Sequence, residues 1–154
     1  MAIEDDISLF ERVPTLSLLG RQALRILAIG AETRYIHSGE VLFDVGDEAD
    51  GAFVIQEGHF VLSSDASGDS REKMVGPFTL LGEIALFTET KRPATATALE
   101  PSTVLHIPRP LFIRMLDSFP EAARRLREIL AERLDQSSRE IHGVRAALDT
   151  RDPK

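Results

Sequence analysis

The residues with the clearest chemical potential stand together as Gly82-Glu83-Ile84-Ala85-Leu86, followed after a short spacer by Arg92. A glycine-led turn opening a short helix offers free backbone N–H groups, and the helix dipole adds to their pull on an anion. An arginine fork can hold two phosphate oxygens at once. The Glu83 carboxylate only accepts hydrogen bonds at neutral pH, which suits a sugar hydroxyl. Together these residue types make a clamp for a phosphate joined to a sugar. Each also has an ordinary role: Glu83 can stabilise the first turn of a helix, Arg92 can be a surface cation, and Gly82 can serve the backbone turn alone.

Such a clamp needs a framework. Residues from Asp5 to about Gly30 read as helical: Leu9, Phe10 and Val13 precede Pro14, and Thr15 stands at an N-cap position ahead of Leu18, Leu19, Leu24, Leu27 and Ala28. From Thr33 to Ile107 the pattern changes to short apolar runs punctuated by Gly39, Gly46, Gly51, Gly58, Gly68, Gly76 and Gly82, with alternating strands such as Ala52-Phe53-Val54-Ile55. That pattern predicts an all-β sandwich or jelly roll, with Asp65 to Arg71 as a polar hairpin loop. Pro108 then opens a helix carrying Leu111, Phe112, Met115 and Leu116 on one side, and Phe119-Pro120 interrupts it. Pro120 begins a last helix, because its fixed φ suits a first turn.

Along that last helix Leu126, Leu130, Leu134, Ser137, Ile141, Val144 and Leu148 recur at intervals of three and four residues. This is the seam of a short coiled coil, weakened by roughly 1 kcal/mol at Gly143. It predicts a parallel homodimer through the C-terminal helix; the alternative is a helix that packs only on its own β-roll. Ser137 is a polar residue within the seam, which either sets the register of the pair or meets a ligand there.

At 154 residues the chain is expected to form a single domain over 1–154, with N-terminal helices at 5–30, a β-roll at 33–107 and C-terminal helices at 108–149. The formal net charge of −7 argues against a nucleic-acid backbone as partner, which needs a basic footprint. No apolar run reaches membrane-spanning length, and the Met1-Ala-Ile-Glu-Asp-Asp start is acidic rather than signal-like, so a cytoplasmic location without a membrane partner is expected. With no cysteine, disulfides, iron–sulfur ligation and cysteine nucleophiles are excluded. His37, His59, His106 and His142 lack the His-x-His spacing of a jelly-roll metal site and read as surface or internally satisfied histidines. No nucleophile elbow or Ser-x-x-Lys pattern is present. The expectation is a protein that is not an enzyme, with no catalytic residues, metal or cofactor.

The stretch from Leu81 to Ala98, Leu-Gly-Glu-Ile-Ala-Leu-Phe-Thr-Glu-Thr-Lys-Arg-Pro-Ala-Thr-Ala-Thr-Ala, resembles the phosphate-binding cassette of cyclic-nucleotide-binding domains. That family includes the regulatory subunits of protein kinase A, the cyclic-nucleotide-gated channels and the bacterial catabolite activator protein. Ser38-Gly-Glu-Val-Leu-Phe43, Gly46-Asp47, Asp50-Gly51-Ala-Phe-Val-Ile55 and Glu57-Gly58 match the turns of the family's β-roll in order, so the similarity runs from about Leu9 to Leu134. It implies a mainly β fold with flanking helices: a double-stranded β-helix, or jelly-roll-like β-roll, with N-terminal helices and a long C-terminal helix. It also implies that Glu83 binds the ribose 2′-hydroxyl and Arg92 neutralises the cyclic phosphate. Gly82, Ile84 and Ala85 would form the turn, with the Ala85 N–H offered to the phosphate. Ala94 and Thr95 would follow in register along the strand. Aligned on the catabolite activator's long helix, Ser137 and Ser138 fall at adenine-contacting positions.

Two departures from the family pattern bear on the ligand. Pro93 has no N–H where the residue after the arginine commonly helps hold the phosphate. One lost hydrogen bond to a charged acceptor is worth about 1.5–3 kcal/mol. Many cGMP-selective members carry a threonine at that position, so Pro93 tilts the expectation to cAMP, with cGMP as the alternative. Phe78-Thr79 replaces the usual Gly-Asp before the motif. In the family's transcription factors a helix-turn-helix domain follows the long helix, whereas this sequence closes on Asp149-Thr-Arg-Asp-Pro-Lys154. The expectation is therefore a regulatory sensor module without a DNA-binding domain, acting on an effector protein on another chain. The competing expectation is a degenerate β-roll that dimerises or binds proteins without a nucleotide.

Overall fold

The computed structural model describes residues 3–64 and 71–132. Two helices, α1 (Ile3–Glu11) and α2 (Arg21–Gly30), lead into ten strands: β1 (Glu32–Ile36), β2 (Val41–Phe43), β3 (Glu48–Ala49), β4 (Gly51–Glu57), β5 (Phe60–Ser64), β6 (Arg71–Val75), β7 (Leu80–Leu81), β8 (Thr90–Lys91), β9 (Thr95–Ala98) and β10 (Ser102–Pro108). Helix α3 (Arg109–Ser118) follows, and residues 120–132 form a further helix, α4. One sheet runs β1-β10-β4-β7, a second runs β2-β9-β5-β6, and β3 and β8 form a separate two-stranded ribbon. Every pairing is antiparallel. This is the mainly β roll with flanking helices that the resemblance to cyclic-nucleotide-binding domains implies.

The alternation in the central strands serves two apolar layers. Neither face of β4 is solvated, because all of Gly51 to Ile55 is buried. Ala52 and Val54 join a core with α1, α2, α3 and α4, whereas Phe53 and Ile55 join a second core inside the roll. β10 sorts its residues the same way: Leu105 and Ile107 enter the helix-side core and Val104 enters the roll. Period-two geometry thus addresses two apolar layers rather than one core and water.

The helices owe their limits to local chemistry. Glu4, Asp5 and Asp6 in the first turn of α1 complement its positive end. Helix α2 begins only at Arg21, behind Gly20 at φ 89, a conformation that an L side chain rarely adopts. Thr15 is therefore not the cap of the α2 helix; it precedes a short 3-10 turn (Leu16–Leu18) and makes no side-chain cap bond. Its hydroxyl has a long-range partner instead, and tertiary contact overrides the local preference. Pro108 occupies the cap position of α3 and Pro110 lies in its first turn, where a missing N–H costs nothing.

In α4, Leu126 is buried to 1% in the helix-side core and Leu130 packs against it. The first two residues of the expected coiled-coil seam thus face the chain's own fold. The seam from Leu134 onward, together with Ser137 and Ser138, lies outside the described residues. Among the described residues no helix is long and apolar enough to cross a membrane.

Candidate functional site

Arg92 follows directly on β8 and is buried, with a side-chain exposure of 3%. Its backbone is tied at both ends to the preceding turn: the Arg92 N–H donates to the Asp47 carbonyl at 2.8 Å, and the Gly46 N–H donates to the Arg92 carbonyl at 2.8 Å. The guanidinium carbon lies 4.5 Å from the Phe43 ring centre and 5.3 Å from that of Phe53, which are themselves stacked at 5.8 Å. Desolvated cation–π contacts of this kind contribute up to about 2 kcal/mol. Nη2 faces Asp50 Oδ1 at 3.6 Å. Nη1 is buried without a hydrogen-bond partner, alone in this among the side-chain nitrogens and oxygens of the described residues.

Burial pulls the Arg92 guanidinium down from its ordinary value; Asp50 and Asp47 oppose that pull, and Arg109 and Arg34 add to it. A buried cation with an unused donor is costly unless an anion approaches. The Arg92 side chain therefore fits the phosphate that the sequence assigns to it.

Gly82 explains how the turn comes so close. It adopts φ 87, in the left-handed region, and a Cβ added there would lie 2.5 Å from Arg92 Nη1. Glu83–Leu86 then form the expected short helix, as a single 3-10 turn. The Ala85 N–H closes this turn on the Gly82 carbonyl at 3.0 Å. A cavity of about 390 Å³ lies between Gly82–Ala85 and Thr90–Pro93, with Ala49 completing its lining. Gly82, Glu83, Ile84, Ala85 and Arg92 are thus brought together. Ala94 and Thr95 do not line the cavity, and the Thr95 hydroxyl accepts the Val45 N–H at 2.9 Å. Lys91 is exposed and 3.9 Å from Glu48.

Four residues at the site carry more weight than the sequence reading gave them. The Thr15 hydroxyl donates a short hydrogen bond to Glu83 Oε2, joining the N-terminal helical segment to the cassette. Arg109, the first residue of α3, donates from Nε to the Ala85 carbonyl at 2.8 Å and from Nη2 to the Ala49 carbonyl. Asp50, read only as part of a turn, faces Arg92 and lies 3.1 Å from His106 Nε2. Desolvation pushes the Asp50 carboxyl up, but the His106 charge and hydrogen bond, with Arg92, outweigh it and hold the group below the usual carboxylate range. His106 is indeed internally satisfied, as expected. Its setting was invisible because its partners Glu32 and Asp50 are 74 and 56 residues away. Among the described residues no cluster of His, Cys, Asp and Glu could hold a metal ion.

Comparison with known proteins shows similarity in sequence and fold. The sequence model of the cyclic nucleotide-binding domain matches residues 33–119. A cyclic nucleotide-binding-like protein from Brucella abortus is 34% identical with a TM-score of 0.66, over 73% of this chain and 98% of that one. The N-terminal domain of a transcriptional regulator from Streptomyces coelicolor is 30% identical with a TM-score of 0.76, over 86% of this chain and 94% of that one. Lysophospholipase nte1 of Aspergillus terreus is 30% identical over 122 residues, which is 77% of this chain but only 8% of the lysophospholipase. Since the match to the family model takes in both the β-roll and the cassette with its arginine, the chain belongs to the cyclic nucleotide-binding domain family.

Proposed function

We propose that the chain is a regulatory module that binds a cyclic nucleotide, cAMP in preference to cGMP, and performs no catalysis itself. The observation that carries this reading is the buried Arg92 guanidinium, whose Nη1 has no partner and lies under Gly82 at the edge of the cavity. The cyclic phosphate would take the Arg92 fork and the ribose 2′-hydroxyl would donate to Glu83. Pro93 lacks the hydroxyl that a guanine-selective site would use, which favours adenine.

Signalling would run through α3. Arg109 holds the Ala85 carbonyl, and Phe87 meets Phe112 of α3 edge-on at 5.3 Å. A ligand that favours one placement of the Gly82–Leu86 turn would thereby favour one placement of α3. The output would go to an effector protein on another chain in the cytoplasm, with a homodimer formed through the C-terminal segment that follows Leu130.

Calorimetric titration with cAMP and cGMP, using Arg92→Ala as control, tests the proposal. Saturable binding, weakened by more than about a hundredfold in the variant, is the expected result. A second reading, a scaffold without nucleotide, rests on the missing Pro93 N–H and on the Ala85 N–H being turned to Gly82. Absence of binding to either nucleotide at millimolar concentration would establish that reading instead.

A further inference from the structure

The imidazole of His106 lies between two carboxylates. Nδ1 is 3.0 Å from Glu32 Oε1, and Nε2 is 3.1 Å from Asp50 Oδ1. An ionised carboxylate only accepts hydrogen bonds, so an imidazolium, donating from both ring nitrogens, can satisfy both carboxylates, whereas a neutral ring can donate to one. The ring is 3% exposed, whereas the Glu32 and Asp50 side chains are 62% and 71% exposed. Its Phe53 neighbour, with ring centres 4.8 Å apart, is the same ring that stacks on Phe43 and lies beneath Arg92 and Arg34. The Asp50 oxygen that meets His106 is the one that faces Arg92 Nη2.

The geometry points to His106 as a positioning residue that, by donating to Asp50, sets how far Asp50 competes with an anionic ligand for Arg92. This rests on the nucleotide-binding reading. With the imidazolium in place, Glu32, His106, Asp50 and Arg92 form a row whose charges cancel. The neutral ring can donate from one nitrogen only, which leaves one excess negative charge beside the site of the phosphate. The charged groups facing the ring are Glu32 of β1 and Asp50 ahead of β4, with Arg34 and Arg92 across Phe53 and Arg109 near Arg92. The cyclic phosphodiester keeps a single charge at neutral and mildly acidic pH, so the ligand adds no titration of its own. An imidazolium at this position therefore favours an anionic ligand on Arg92, and a neutral ring opposes it.

The test is calorimetric titration of the full chain with cAMP from about pH 5.5 to about pH 8, the range in which histidines change charge. The wild-type dissociation constant is expected to rise roughly three- to tenfold across that range, as one added charge near the site would require. His106→Gln removes the proton switch and should give a flat profile. Asp50→Asn, at an exposed position, should flatten the profile even with His106 intact, because the histidine acts through that carboxylate. A flat wild-type profile, or an unchanged slope in Asp50→Asn, overturns the role of His106 while leaving nucleotide binding in place. No saturable binding at any pH overturns the nucleotide reading and this one with it.

Discussion

Arg92 and Glu83 line the same cavity but belong to different parts of the molecule. Arg92 is embedded in the roll, held through its backbone by Asp47 and Gly46, flanked by Phe43 and Phe53, and matched in charge by Asp50. Glu83 sits on a 3-10 turn whose side-chain partner, Thr15, comes from the helical segment 68 residues earlier. The proposed phosphate anchor is therefore preorganised by the sheets, whereas the proposed ribose anchor depends on where the N-terminal segment lies. Preorganisation lowers the ordering cost of binding, and a contact between two layers makes binding sensitive to their relative position.

Gly82→Ala attacks both anchors at once and should have the largest effect. Its Cβ would meet Arg92 Nη1 at 2.5 Å in a left-handed backbone, so we expect about 1–3 kcal/mol of lost stability and severe loss of nucleotide affinity. Chemical denaturation and calorimetry on the same samples would check both. Glu83→Ala separates the anchors. Affinity for cAMP should fall by about tenfold, while affinity for 2′-deoxy-cAMP changes little, since the deleted hydrogen bond needs the 2′-hydroxyl. Equal losses for the two ligands would place the ribose elsewhere.

Thr15→Val makes the finest distinction. Removing one hydroxyl from a carboxylate partner should cost about 0.5–1.5 kcal/mol in unfolding and only severalfold in cAMP affinity. The loss in affinity should be confined to the ligand that has a 2′-hydroxyl. If Thr15→Val leaves the preference for cAMP over the deoxy ligand untouched, the two anchors are less distinct than their partners suggest.

The difference between the anchors also explains what the sequence could reveal. The cassette could be proposed from the sequence because Gly82, Glu83 and Arg92 lie close together along the chain, in a spacing that resembles a family motif. The glycine punctuation marked the roll for the same reason: turn geometry is set by neighbouring residues. His106 could not be assigned a setting this way, since Glu32 faces it only through the β1–β10 pairing. Thr15 looked like a cap because capping is a local rule, while its actual partner is supplied by the fold. Leu126 and Leu130 fitted a seam by spacing alone, but spacing does not say which surface a helical stripe will cover.

The two-layer sorting of β10 has a mechanical consequence. His106 belongs to the charged row beside Arg92, and the next residue, Ile107, is packed beneath the helices. A single peptide unit separates the layer that would sense an anion from the layer that carries α3. Because that unit is planar and nearly rigid, there is no slack between the two layers along this strand. Sliding β10 by one residue would exchange their occupants, placing the histidine among leucines and the isoleucine among carboxylates. On the proposed signalling route, adjustment would therefore fall to the cassette turn and its bond to Arg109, with the strand as the fixed bearing.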